Sequence, residues 1–274
     1  MRLRIYIFTT FAISLTSWGI LAHLSRAGIT AFGQPRFMLL FSLGGLGPTI
    51  GAYLAVLATT AQSPLAEYHQ RLFRWRVDWK CYLAAFGLPA ALVLGSATLA
   101  IVFHSGSYQV VMSRPWFALF PLFVLMIFFG GLEELGWRGV AQPEMERLLP
   151  RAPAAIAVGI IWAVWHLPLF YVPGVSQYGT SFRVFFLRVL GNALILAWIY
   201  GRSKSILLCG AFHAMRNAAW AMGLTVQGRQ ANQQFFETCL GLACGVLLMA
   251  LDWGSFTRSG KRGPARNLEV RSPV

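Results

Sequence analysis

WFALFPLFVLMIFFGGLEELGWR, residues 116–138, runs from Trp116 through sixteen uncharged residues into the adjacent pair Glu133 and Glu134, with Arg138 four positions further on. The chain has only nine acidic residues among 274, so two of them at the end of an oily stretch call for an explanation. A carboxylate in a bilayer costs about 2.5–3.5 kcal/mol on insertion scales, and two adjacent ones also repel each other. Such a pair serves either chemistry or a buried ion pair that fixes helix register. One Arg138 cannot easily neutralise both carboxylates, which favours chemistry for at least one of them.

The rest of the chain resembles that stretch. Hydrophobic residues make up 57% and charged residues 12%, against about 25% charged in ordinary soluble domains. The mean hydropathy is +0.58. The apolar residues gather into blocks of near-spanning length, about 20 residues each. Eight membrane-crossing segments are expected, near residues 6–24, 38–58, 81–103, 116–132, 153–172, 184–200, 205–222 and 235–253. The fold class is therefore all-α: a polytopic membrane bundle of about eight helices, whose interior must take up the few polar residues in those segments. One integral membrane domain is expected over residues 1–257. A basic tail rich in Gly, Ser and Pro, expected to be disordered, follows over 258–274. The first apolar run, preceded by Arg2 and Arg4, is read as a retained helix rather than a cleaved signal.

The net charge of +14 could suggest a nucleic-acid partner, but its distribution argues otherwise. With eight crossings, one side receives fifteen basic residues, among them Arg71, Arg74, Arg76 and Lys80. The other side receives five: Arg26, Arg36, Arg114, Arg183 and Arg229. This asymmetry places both termini in the cytoplasm and leaves the lipid headgroups to attract the basic excess. Residues 71–80, RLFRWRVDWK, interleave that charge with Trp75 and Trp79, as an interfacial segment does. The four cysteines, Cys81, Cys209, Cys239 and Cys244, all fall in apolar segments and are expected to be small buried residues. Glycines at 44, 45, 47 and 51, and again at 241 and 245, predict close helix packing within the chain.

Three segments carry polar residues at helical spacing. Glu134 and Arg138 share one face, with Glu133 beside them. Trp162 and His166 form a second pair, and His213 and Asn217 a third. Polar groups in such segments face a bundle interior or a water-filled cavity. Their types suit amide hydrolysis. A carboxylate flanked by a histidine can deprotonate water. A second histidine and an asparagine can donate to the oxyanion that forms. An arginine can hold the second glutamate ionised. No serine or cysteine stands in a comparable setting, so a covalent acyl-enzyme is not expected.

Glu133-Glu134-x-x-x-Arg138, Trp162-x-x-x-His166 and His213-x-x-x-Asn217 together resemble the pattern of the CPBP (Abi) family of intramembrane proteases, which includes the type II CAAX prenyl endopeptidases. The family pattern usually has phenylalanine where this chain has Trp162. The resemblance implies that Glu133 activates water beside His166, that His213 and Asn217 form the oxyanion site, and that Glu134 and Arg138 complete and orient the first cluster. The expected mechanism needs no metal. Zinc is the alternative, since two glutamates and two histidines could ligate it, although the H-E-x-x-H signature is absent. The implied substrate is a membrane-anchored protein or peptide, prenylated or not, in a prokaryotic plasma membrane.

Two other functions compete. A non-catalytic family member could act in bacteriocin immunity or as a scaffold, binding rather than cutting. A secondary transporter could use the glutamates as a proton relay, but the chain has no visible inverted repeat. His23, His69 and His104 are given interfacial or solvent positions. Arg216 is expected to snorkel outward and Arg188 with Asn192 to line a cavity wall. Trp162, Trp165, Phe170 and Tyr171 are read as packing.

Overall fold

The computed structural model describes residues 1–59, 64–103, 107–252 and 254; the tail expected at 258–274 lies outside them, as does His104. Twelve α-helical elements occur in the described residues: α1 (Arg2–Arg26), α2 (Pro35–Gly45), α3 (Gly47–Leu57), α4 (Pro64–Leu72), α5 (Trp79–Val102), α6 (Leu119–Phe128), α7 (Glu134–Gly136), α8 (Gln142–Glu146), α9 (Arg151–Trp165), α10 (Phe182–Ser203), α11 (Ile206–Ala221) and α12 (Gln230–Leu251). Two three-residue strands, β1 (Val110–Met112) and β2 (Leu224–Val226), pair antiparallel with Val110 opposite Val226. This small ribbon is the sole sheet in the described residues of an otherwise helical bundle.

By length and composition, six helices can cross a membrane, and α2 with α3 makes a seventh, bent by 41°. The eighth expected crossing, near 205–222, is α11. It has only 16 residues, about 24 Å at 1.5 Å per residue, and so falls short of a hydrocarbon core of about 30 Å. It is short because it packs among α5, α6 and α10 rather than facing lipid along its length. The segment expected to end at residue 132 continues to Glu146 as a broken span. Around the bundle, the long helices turn Phe8, Leu39, Leu83, Phe120, Phe128 and Leu247 outward. Apolar residues on both faces are what a lipid surround allows.

The bend between α2 and α3 has a local cause. Pro48 has no N–H for the Gly44 carbonyl four residues back, and its ring crowds that turn. The freed carbonyl accepts from the Ser14 hydroxyl of α1 at 2.6 Å. Gly44 and Gly47 lie so close to α1 that side chains there would strike Trp18 and Ser14. Below the bundle, α4 is docked by its polar groups. Tyr68 donates to the Leu135 carbonyl at 2.8 Å and Arg71 to the Tyr200 hydroxyl at 2.8 Å. Trp75 and Trp79 stand exposed beside it, as an interfacial segment requires. Of the cysteines, Cys81 and Cys209 are buried, but Cys239 is exposed on α12, because the face it occupies points away from α10.

The tightest helix crossing is between α10 and α12. A Cβ added at Gly191 would lie 2.8 Å from the Gly241 backbone carbonyl carbon, whereas one added at Gly241 would meet nothing within 4 Å. Gly191→Ala should therefore force the two backbones apart, costing about 1–3 kcal/mol. Its melting temperature in detergent should fall by several degrees. Gly241→Ala, at the same crossing, should melt like the parent.

Candidate active site

Two interrupted helices and the unbroken α11 build the site. After α6, Gly130 and Gly131 break the run, and a 3₁₀ turn over Gly131–Glu133 leads into α7. A π-helical stretch over Trp137–Ala141 follows, and α8 begins at Gln142. Wide turns of this kind are common at functional sites. The regular α-helix expected here is therefore replaced by three successive helix types, yet the four-residue pairing survives. Arg138 Nη1 donates to Glu134 Oε2 at 2.8 Å, with both side chains fully buried.

The two glutamates have different surroundings. Glu134 is saturated: besides Arg138, its Oε1 accepts from His213 Nδ1 of α11 at 2.9 Å. Glu133 is not. Trp162 Nε1 of α9 donates to Glu133 Oε2 at 2.9 Å, and the Trp137 indole also lies toward this carboxyl, but no cation pairs with it among the described residues. Glu134 and Arg138 have no exposure, while Glu133, His166 and His213 each retain 8%. The adjacent pair thus divides into a locked carboxylate and a reachable one.

Trp162 was read from sequence as packing. It does pack, with its ring 5.3 Å from His213 and Arg138 lying 5.1 Å over it. The indole N–H also holds Glu133, which the phenylalanine of the family pattern could not do. The same residue fixes His166. Pro168 stops α9, because its ring cannot follow an α-helical turn. The His166 amide then bonds Ala163 rather than Trp162, leaving the Trp162 carbonyl as an orphan of the helix end. His166 Nδ1 takes that carbonyl at 2.8 Å. A carbonyl only accepts, so Nδ1 carries the hydrogen, and in the neutral ring Nε2 keeps its lone pair.

Asn217 joins the cluster through Gly130. A Cβ added at Gly130 would meet Asn217 Nδ2 at 2.5 Å and His213 Nε2 at 3.1 Å. Two nitrogens from α11 therefore converge on the space that a side chain at 130 would fill. Gly130 is a site position that the sequence reading missed. The only available signal was a Gly-Gly pair directly before the glutamates. All six expected residues, Glu133, Glu134, Arg138, His166, His213 and Asn217, meet in this one region.

Arg216 departs from expectation. It does not snorkel but is buried against Glu237 of α12 at 2.5 Å. His69 is not free in solvent either; its Nε2 meets the Tyr53 hydroxyl at 3.2 Å. As for metals, no three His, Cys, Asp or Glu side chains among the described residues are arranged to hold an ion. His166 Nδ1 is already committed to a carbonyl, and both Glu134 oxygens are engaged.

Residues 114–219 match the family model described as type II CAAX prenyl endopeptidase Rce1-like. A relative named CAAX prenyl protease 2, from Methanococcus maripaludis, is 28% identical over 225 residues, covering 78% of this chain and 82% of its own length. Both likenesses support the resemblance to the CPBP family of membrane proteases.

The buried triad generates a test. Glu134→Gln would leave Arg138 enclosed without a carboxylate, a loss of about 3–5 kcal/mol, and the protein should melt far lower or fail to purify folded. Removing both charges, Glu134→Gln with Arg138→Met, should recover part of that loss. Glu133→Gln keeps an acceptor for Trp162 and should melt within about 2 °C of the parent, since a small change in stability moves Tm by only a few degrees.

Proposed function

We propose that the protein is an endopeptidase that cleaves near the C-terminus of a membrane-anchored, prenylated substrate, by water attack without an acyl-enzyme. One observation carries the reading. Glu133 is held by the indole of Trp162 and faces that of Trp137, with no cation bound to it among the described residues, while His213 Nε2 and Asn217 Nδ2 both lie against Gly130, three residues before it. That is the layout a base and an oxyanion site require.

In the proposed reaction the substrate carbonyl oxygen lies toward His213 Nε2 and Asn217 Nδ2. A water sits between Glu133 Oε1 and His166 Nε2. Glu133 takes one proton as the water oxygen bonds to the carbonyl carbon, and the C=O electrons move onto oxygen. The two α11 donors hold that charge, His213 as the imidazolium whose Nδ1–H is bonded to Glu134 and whose Nε2–H faces the oxyanion. As the C–N bond breaks, the proton on Glu133 passes to the departing nitrogen, giving a new carboxyl terminus and a free amine. Glu134 takes no proton; tied to Arg138 and His213, it holds His213 in place.

The name of the relative, CAAX prenyl protease 2, and the description of the matching family support the prenylated substrate class. A prenyl chain in the bilayer would bring the scissile bond to a site within the spanning bundle. With α11 returning the chain across the bundle as an eighth, short crossing, as the parallel run of α10 and α12 requires, the fifteen-to-five division of basic residues supports a cytoplasmic position for both termini, and the archaeal relative supports a prokaryotic plasma membrane.

Purified protein should cleave a fluorogenic prenylated peptide in detergent. Glu133→Gln and His166→Ala, each shown to be folded, should lose at least about 10²-fold in kcat, the scale of a general-base contribution. Activity should survive a strong chelator. Cleavage lost to the chelator and restored by zinc would replace glutamate-activated water with a metal mechanism. A folded parent that cleaves nothing would favour the binding or immunity role.

A further inference from the structure

A second group of charges lies on α10, α11 and α12, outside the catalytic cluster. Arg216 of α11 and Glu237 of α12 form a buried ion pair at 2.5 Å, with side chains only 5% and 4% exposed. Arg216 Nε is buried without a hydrogen-bond partner. Arg188 of α10 shares the electrostatic neighbourhood of both, yet among the described residues it makes no hydrogen bond or ion pair. Its guanidinium rests over the Phe185 ring, 5.5 Å from the centroid.

The glycine crossing explains why these residues meet. Gly191 packs on Gly241, and Gly245 packs on Leu194, so α10 and α12 run parallel in backbone contact. Arg188 stands one turn before Gly191, and Glu237 one turn before Gly241, at the same level of the bundle. Two guanidinium groups therefore face one carboxylate. Among the described residues, one guanidinium is left without a paired carboxylate in the first turns of α10. Neither Arg188 nor Arg216 takes part in the proposed chemistry.

The cluster borders the active site. Phe185, under Arg188, packs edge-on against the His166 ring at 5.0 Å, and His166 lies in the field of Arg188. Contacts of 5.0 Å and 5.5 Å in series reach about as far as three extended residues, which span at most about 10 Å.

We propose that Arg188, backed by Arg216, binds the free α-carboxylate of the substrate's C-terminus a few residues beyond the scissile bond. This rests on the endopeptidase reading above and adds the group that sets where the enzyme cuts. A guanidinium fork matches a carboxylate in shape and charge. The arriving anion balances the spare positive charge. Glu237 holds Arg216 and leaves Arg188 as the open arm.

The test uses full-length protein in detergent and two prenylated peptides that differ only in ending as a free acid or as an amide. The parent should cleave the acid with at least about tenfold higher kcat/KM, as expected for loss of a charged hydrogen bond worth 1.5–3 kcal/mol. Arg188→Gln should lower kcat/KM for the acid by about that factor and leave the amide unchanged, whereas Arg188→Lys should keep part of the preference. Equal cleavage of both peptides by the parent, or an equal loss on both in Arg188→Gln, overturns the proposal. Binding of the two peptides to the Glu133→Gln protein, read by fluorescence anisotropy, needs neither turnover nor an Arg188 variant. Tighter binding of the acid without any cleavage in the parent would sink the protease reading and keep the carboxylate site. Cleavage without an acid preference, or equal binding of the two, would sink the site.

Discussion

Glu134 is the constraint around which the rest is arranged. A carboxylate with no exposure inside a membrane bundle must be matched in charge and in hydrogen bonds. Arg138 supplies the charge from its own segment, and His213 supplies the second bond from α11. These two contacts fix the register between the broken span and α11. That register then carries Asn217, one turn beyond His213, to Gly130. Glu134 is tied to a cation and a histidine, whereas its neighbour Glu133 meets the indoles of Trp162 and Trp137. Two identical side chains side by side thus acquire different environments, as in other paired carboxylates.

The polar cluster also gathers where helices are left unfinished. A complete α-helix uses its own carbonyls and amides and offers a ligand nothing. Here Gly130 and Gly131 end one helix and let α11 approach closely. Pro168 ends another and frees the Trp162 carbonyl to fix the His166 ring. In a membrane such gaps are tolerated only where protein or a cavity surrounds them. These breaks are enclosed by α1, α3, α4, α9 and α11, and the aromatic contacts of Tyr6, Trp137, Trp165 and Trp18 pack behind them.

The helical class and most of the crossings were legible because hydropathy is a local property. A run such as residues 81–103 has few other places to go. The six polar site residues were legible for the complementary reason: a bilayer rejects Glu133, Arg138 or His213 unless something pairs with them. The features that escaped depend on partners distant in sequence. The Trp162 indole could be seen as a donor only once Glu133 was beside it. Gly130 looked like any helix breaker until α11 lay against it. Arg216 was read as an outward-reaching side chain because nothing in the local sequence announces Glu237, 21 positions later. The short α11 was read as a full crossing because composition reports how oily a helix is, not whether protein or lipid surrounds it.

The two polar layers also bear on how a protease of this kind stays selective. A base and an oxyanion site recognise any peptide carbonyl, so position along the substrate must come from elsewhere. A lipid anchor can bring a chain to the bilayer but leaves its register free, since an apolar tail in an apolar medium can slide. A charge in a fixed place cannot be matched at more than one register. With Glu134 and Arg138 paired, and Arg216 held by Glu237, Arg188 is, among the described residues, the cation near the site without a paired carboxylate. It is therefore the group placed to distinguish a chain end from a chain interior. Its distance from His166, bridged by a single phenylalanine ring, would set how many residues are removed.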